Sequence, residues 1–302
     1  MTNLLPIFYS NILPIFIAAG MGYALERILQ LDIKSITRLA FYALIPCLTF
    51  SSLIENRISG DELSRMIIFI TAITFILWLM TWMMARVLRL SRPVESALLL
   101  STMFVNAGNY GVPLNLFAFG EPGQARAVVY LVVSAVLSNT IGVYLAARGR
   151  ATTRQTLLSL AKVPLIYAVL LAGLVSFSGA KLPTPLFNAV TLVGRASVPV
   201  MLLILGMQLA RTSLTRELGT TSLATFIRLI IAPTLAFGLA AVIGLRGVTR
   251  QTMIVEASTP TAVTSTILAL EFDARPDLVT NIVFLSTLLS PLTLTVIIAL
   301  VK

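Results

Sequence analysis

The 302-residue chain contains no histidine and a single cysteine, Cys47. The missing imidazole removes the commonest metal ligand and the usual general base. One thiol excludes an intrachain disulfide and a thiolate metal site, and Cys47 lies in an apolar run where it reads as a small packing residue. Charge is scarce as well: 22 basic and 12 acidic residues make up 11% of the chain, against about 25% in a soluble domain. With 57% hydrophobic residues, the chain has too few charges to cover a water-facing surface. A soluble enzyme and a disordered chain are therefore poor readings. The net charge of +10 is scattered in short tethers between apolar runs, which fits a membrane protein and not a nucleic-acid-binding domain. The chain carries no serine-nucleophile elbow, no phosphate-binding loop and no metal-ligand spacing, so no enzyme activity, cofactor or metal is expected.

The apolar runs are continuous and do not alternate, which predicts helices and not a β-barrel. Ten spans are expected, near Pro6–Leu29, Ile36–Ile54, Asp61–Leu88, Val94–Phe119, Gln124–Ala147, Ala161–Ser178, Pro185–Ala210, Arg216–Ile243, Thr249–Glu271 and Pro276–Val301. The fold class is an all-α polytopic membrane protein. The first run is uncharged from Met1 to Leu25 and has no basic segment before it, so it reads as a span and not as a cleaved leader. Basic residues gather after spans one, three and five: Arg27, Lys34 and Arg38; Arg86, Arg89 and Arg92; Arg148, Arg150 and Arg154, with Lys162 just beyond. After spans two, four and six there are only Arg57 and Arg65, Arg126, and Lys181. Basic loops favour the cytoplasm, which predicts a multi-pass protein of the inner (plasma) membrane with both termini outside.

Two short matches recur at one separation. Ala19-Gly20 pairs with Ala172-Gly173, and Ala43-Leu-Ile-Pro46 pairs with Ala196-Ser-Val-Pro199, both 153 residues apart (19 to 172, 46 to 199). This divides the chain into a first five-helix repeat (1–147), a short cytoplasmic connecting loop (148–160) and a second repeat (161–302). Because five is odd, the second repeat enters the membrane inverted, an arrangement that places a transport site near the midplane between the halves.

Span four reads Asn106-Ala-Gly-Asn109-Tyr-Gly-Val-Pro113. Gly108, Gly111 and Pro113 weaken helical hydrogen bonding there, and freed backbone groups survive at that depth only inside protein or along a cavity. A plain proline kink with asparagines joining neighbouring helices is the alternative. Span nine, its counterpart, reads Glu256-Ala-Ser258-Thr259-Pro260-Thr261-Ala-Val-Thr264-Ser265, five hydroxyls around one proline. Two interrupted spans in corresponding positions point to a transport site. The second half of each broken helix presents unpaired N–H groups at its positive end, a spot for an anion. The candidate substrate-binding residues are Asn106, Gly108, Asn109, Ser258, Thr259, Pro260 and Thr261, with Gly111, Pro113 and Pro260 as helix breakers. Among the ionisable residues at membrane depth, Arg195 reads as a side chain reaching the interface. Arg228 either attracts an anionic substrate or pairs with Glu256. Glu256 is that partner or a proton-coupling carboxyl.

The segments Phe41-Tyr-Ala-Leu-Ile-Pro46, Asn106-Ala-Gly-Asn-Tyr-Gly-Val-Pro-Leu114, Gly194-Arg-Ala-Ser-Val-Pro199, Leu205-Gly-Met-Gln-Leu209, Glu256-Ala-Ser-Thr-Pro260 and Leu285-Ser-Thr-Leu-Leu289 resemble the auxin efflux carrier family, which includes the plant PIN auxin carriers and many bacterial permeases. The resemblance spreads over essentially the whole chain. It implies ten helices in two inverted five-helix repeats, a scaffold of spans one, two, six and seven that forms a homodimer, and a mobile transport domain of spans three to five and eight to ten. Interrupted spans four and nine would cross at the midplane, and the transport domain would move in an elevator manner. Asn106 falls where the plant carriers have an asparagine that contacts the auxin carboxylate, and Pro260 falls on their crossover proline. Val105 departs from them, standing where they have a proline, so that Gly108, Gly111 and Pro113 are expected to open span four. The long cytoplasmic loop of many plant carriers is missing.

The function expected is secondary active transport of small organic anions, either mono- or dicarboxylates such as malonate and malate or auxin-like acids. Proton or sodium coupling is possible, and the lipid bilayer is the surrounding partner. A sodium-coupled carrier of the bile-acid type and a non-transporting structural or sensory membrane protein are the alternatives.

Overall fold

The computed structural model describes residues 4–56, 58–146, 160–161, 163–212 and 217–302. The connecting loop up to 159, with Arg148, Arg150 and Arg154, lies outside the described residues, as do Arg57, Lys162 and Arg216. The described chain is all-helical. Seven helices are long and apolar enough to cross a membrane: α1 (Leu4–Leu29), α2 (Ile33–Glu55), α3 (Gly60–Val87), α5 (Ala107–Leu145), α7 (Thr184–Ala210), α8 (Gly219–Ile243) and α11 (Pro276–Val301). Four shorter ones complete the set: α4 (Arg92–Met103), α6 (Pro164–Ser178), α9 (Gly247–Ala257) and α10 (Val263–Glu271).

Helix starts follow local chemistry. The Asp32 carboxylate accepts from the Lys34 amide at 3.1 Å and from Ser35 Oγ at 2.6 Å at the start of α2. Ser59 Oγ accepts from the Glu62 amide at 3.2 Å at the start of α3, with Asp61 and Glu62 in the first turn. Each satisfies an orphan N–H at a helix end, and the acidic residues match the positive pole of α3.

Besides a π-type turn at Ser138–Gly142 in α5, four of the long helices widen into a π-type turn over Phe8–Ile12, Ala40–Leu44, Ala107–Gly111 and Ile227–Ile231. A proline follows each of these four at the second residue after the turn: Pro14, Pro46, Pro113 and Pro233. Proline has no N–H for the carbonyl four residues before it, and the wider turn absorbs that loss without breaking the helix.

Two of the anticipated breakers therefore act differently. Pro113 sits near the start of a regular helical segment, where its ring is tolerated, and Gly111 closes the π-type turn. The interruption falls upstream, at Phe104–Asn106, where Phe104 is extended (φ −104°, ψ 125°). The remainder of span four then runs on into span five as α5, bent at Gly120, whose φ is +70°.

Glycines set the closest helix contacts. On α1, Gly22 lies against the Leu203 backbone of α7; on α7, Gly206 lies against the backbone of Ala19 and Tyr23. Gly194 of α7 approaches Leu48 of α2, with 2.9 Å between a built Cβ and the Leu48 amide nitrogen. Small residues at such crossings let helix backbones approach within a membrane. The α1–α7 pair is closed at one end by an ion pair, Arg211 Nε to Glu26 Oε1 at 2.6 Å. Helix α6 packs on α2. A second group gathers α3, α4, α5, α8, α9, α10 and α11, and the first turn of α5 touches the second half of α7.

A methyl group at position 22 would overlap the Leu203 carbonyl, whereas one at position 20 meets nothing within 4 Å. Gly22→Ala is expected to lose about 2 kcal/mol of stability, while Gly20→Ala stays neutral or gains slightly. Thermal unfolding in detergent compares the two, and equal melting temperatures would contradict the packing described.

Candidate functional site

The two interrupted helices meet backbone to backbone. Val105, between α4 and α5, and Thr261, between α9 and α10, form an antiparallel bridge. The Asn106 amide donates to the Pro260 carbonyl at 2.8 Å, and the Ala262 amide donates to the Phe104 carbonyl at 3.0 Å. Each break thus supplies the partner that the other needs, in a medium where unpaired backbone groups are costly.

The carbonyls that end α4 and α9 are accounted for almost completely. On α9, Ile254 accepts from Ser258 Oγ (2.6 Å), Val255 from the Ser258 amide (3.1 Å), and Glu256 from the Thr259 amide (3.1 Å) and Oγ1 (2.8 Å). On α4, Leu100 accepts from Ser265 Oγ and Ser101 from Thr261 Oγ1, each at 2.8 Å. Two more, those of Thr102 and Ala257, are joined by one side chain. Arg228 of α8 donates from Nη1 to the Thr102 carbonyl at 2.6 Å and from Nη2 to the Ala257 carbonyl. Its guanidinium is completely buried. A fixed cation thus sits at the negative ends of two helices, where charge and dipole agree.

This accounting divides the anticipated binding residues. Ser258, Thr259, Pro260 and Thr261 are buried at the bridge and are not among the lining residues of the cavity beside it. The three hydroxyls hold backbone carbonyls. Asn106, Gly108 and Asn109 do line a cavity of about 370 Å³ on the other side, and the residues of the second break that reach it are Ala262, Val263 and Thr264. The cavity therefore receives the first turns of α5 and α10. Arg228 and Glu256 form no ion pair: the arginine holds the two carbonyls, and Glu256 Oε1 accepts from Asn115 Nδ2 at 2.9 Å. Arg195 is exposed where α7 is interrupted.

The rest of the cavity wall is largely apolar, with Phe41, Ile45, Phe104, Leu131, Ile204 and Leu268 among its residues. Sequence reading overlooked Gln208, whose Oε1 accepts from Asn109 Nδ2 at 3.4 Å across the gap between α7 and α5. It also overlooked Ser134 and Ser138, whose spacing of one helical turn was the available signal. Among the described residues that line it, none is basic and Glu271 is the only acidic one. Among these described residues the helix ends are the source of positive potential. Asn106 is 6% exposed, and its Nδ2 has no hydrogen-bond partner.

Crossed helix breaks, long apolar helices and a membrane-depth cavity define a multi-pass membrane transport protein. Two comparisons identify the family. The model of the "membrane transport protein" family matches residues 7–153 and again residues 146–298, so nearly the whole chain is covered by two successive matches that suggest an internal repeat. The chain belongs to this family, that of the auxin efflux carriers. It is similar to an uncharacterized transporter of Methanothermobacter thermautotrophicus, with 28% identity over 93% of this chain and 94% of the relative. It is also similar to an uncharacterized transporter of Methanocaldococcus jannaschii, with 24% identity over 85% of this chain and 86% of the relative. The protein is a transporter and not an enzyme.

Replacing Arg228 by methionine keeps much of the side-chain volume but strips two helix-end carbonyls of their donors. The expected loss is about 3 kcal/mol or more, with increased proteolytic cleavage near Phe104 and Pro260. Unchanged melting and cleavage would refute the clamp.

Proposed function

We propose that this protein is a secondary active transporter of small organic anions that binds a carboxylate at the first turns of α5 and α10. The observation that carries this reading is the Asn106 amide, buried and without a partner in the cavity wall where two helix N-termini converge. A carboxylate supplies the acceptor that Asn106 Nδ2 lacks and fits the positive helix ends. The volume of about 370 Å³ suits a small metabolite. The sole charged side chain among the described residues of its wall, Glu271, repels a second carboxylate. This favours monocarboxylates with an apolar body, the auxin-like acids, over dicarboxylates.

In this reading the chain crosses the membrane ten times, in two inverted five-helix repeats, with both termini outside. Spans one, two, six and seven form the scaffold and the homodimer contact. The glycine-mediated packing of α1, α2 and α7 supports such a body. Spans three to five and eight to ten move against it as an elevator, carrying the crossover and the bound acid. Asn109 and Gln208 meet between the two groups.

The test is ligand-induced thermal stabilisation of the purified protein by benzoate, indole-3-acetate, acetate, malonate, malate and succinate, each with and without sodium. A ligand at about a hundred times its dissociation constant adds about 2.7 kcal/mol of stability. An apolar monocarboxylate is expected to stabilise the wild type and to leave Asn106→Ala unshifted. No shift with any acid, or equal shifts in both proteins, would overturn the carboxylate reading.

A further inference from the structure

The crossover contains a second ionisable group with no role in the cavity. Glu256 is completely buried, one residue before the end of α9. Its Oε1 accepts from Asn115 Nδ2, and its Oε2 has no hydrogen-bond partner. An ionised carboxylate in such a place is very costly unless it is neutralised, either by an adjacent cation or by a proton.

The surrounding elements offer no ion pair. From α8 comes Arg228, whose two Nη atoms are bound to the Thr102 and Ala257 carbonyls. From α5 come Tyr110, whose hydroxyl accepts from Ser290 Oγ at 3.0 Å, and Tyr130, which lies within electrostatic range of both Arg228 and Glu256. The charged residues of α3 and α11 lie near their ends: Asp61, Glu62, Arg65 and Arg86 on α3, and Asp277 on α11 with Lys302 just beyond it. On α9 itself the only other charge is Arg250, near its start.

We propose that Glu256 is the proton-coupling site of this transporter, an inference that rests on the transport reading above. The carboxyl lies flush on Gly111, so closely that a methyl group there would overlap both of its oxygens. A metal cation with its shell of oxygen ligands has no volume at that contact, whereas a proton needs none. The site also touches the substrate machinery. Gly111 ends the π-type turn that begins at Ala107, and its amide donates to the Asn106 carbonyl at 2.9 Å. Asn115 Nδ2 bridges the Glu256 carboxyl and the Gly111 carbonyl, the latter at 3.0 Å. A change of charge on Glu256 therefore acts on the turn that positions Asn106. The step is balanced: the carboxylate takes one proton from water on one side, crosses as the neutral acid, and returns that proton to water on the other. With one carboxylate bound at Asn106, each cycle moves no net charge.

The test uses the full chain reconstituted in lipid and has two readouts. Infrared spectroscopy at neutral pH is expected to show the carbonyl stretch of a protonated, buried carboxyl, absent in Glu256→Gln. Asn115→Leu keeps the carboxyl but removes its donor, so it is expected to shift this band, and the assignment does not hang on the folding of one variant. In the transport readout, an acid-outside pH gradient drives accumulation of labelled benzoate or indole-3-acetate above the protein-free control. Glu256→Gln still exchanges the acid but no longer accumulates it. A missing carboxyl band, accumulation by Glu256→Gln equal to the wild type, or accumulation that follows a sodium gradient and ignores pH would each overturn the proposal. If the band behaves as expected but no acid moves in the wild type, the carboxylate reading falls while the proton site stands.

Discussion

A helix broken inside a membrane leaves carbonyls at one end and amides at the other, with no water to satisfy either. The fold answers the two kinds of orphan differently. The carbonyl ends of α4 and α9 are closed by protein: hydroxyls from the second break, and one guanidinium that reaches both. The amide ends of α5 and α10 face the cavity instead. In the proposed reading, this asymmetry lets the cavity attract an anion although none of the described residues lining it is basic. The Arg228 charge lies behind the crossover, fixed on the negative helix ends, and the positive ends are left for the ligand.

The positions of these ends depend on features that are small individually. A π-type turn before each of Pro14, Pro46, Pro113 and Pro233 lets α1, α2, α5 and α8 keep their direction where an ordinary turn would lose a hydrogen bond. In α5 the same widening presents Gly108 and Asn109 to the cavity and turns the bare face of Gly111 toward Glu256. The glycine contacts at positions 22, 194 and 206 join α1, α2 and α7 at backbone distance. Close backbone packing makes that group a firm body, while its side-chain contact to α5 is longer, with Asn109 and Gln208 3.4 Å apart.

Much of this was legible in the residues. The clusters at Asn106–Pro113 and Glu256–Ser265 stand out because amides, hydroxyls, glycine and proline are rare inside apolar runs, and both clusters lie at the crossover. The roles within them were not legible. A serine or threonine beside a helix break can donate to a backbone carbonyl or to a ligand, and its position in the chain does not distinguish the two. That is decided by which side of the Val105–Thr261 bridge the hydroxyl faces, a relation between residues far apart in sequence. Ser258, Thr259 and Thr261 went to the backbone for this reason, and Thr264, three residues beyond Thr261, reached the cavity. Arg228 was read as seeking a carboxylate because a formal charge is the partner one expects; two helix-end carbonyls are an equivalent partner that composition does not display. The join of span four to span five was hidden because Gly120 and Pro122 look like a terminator, yet the bend at Gly120 carries α5 onward.

Val105 shows why a single proline is enough. The family resemblance places a proline at this position in the plant carriers, and valine in its place would by itself let α4 continue as a helix. The bridge explains why it does not. Its hydrogen bonds use the amides of Asn106 and Ala262 and the carbonyls of Phe104 and Pro260, and the amide of Val105 takes no part. A proline at 105 would thus leave the bridge intact, and a valine costs it nothing. The break in α9 falls at Pro260, which cannot donate to a helical carbonyl and, unlike Pro14, Pro46, Pro113 and Pro233, has no π-type turn before it to absorb the loss. Once it has formed, its Pro260 carbonyl and Ala262 amide are unpaired at membrane depth, and the extended conformation at Phe104–Asn106 is what satisfies them. The interruption of one helix is imposed by its own sequence, and that of the other by its neighbour.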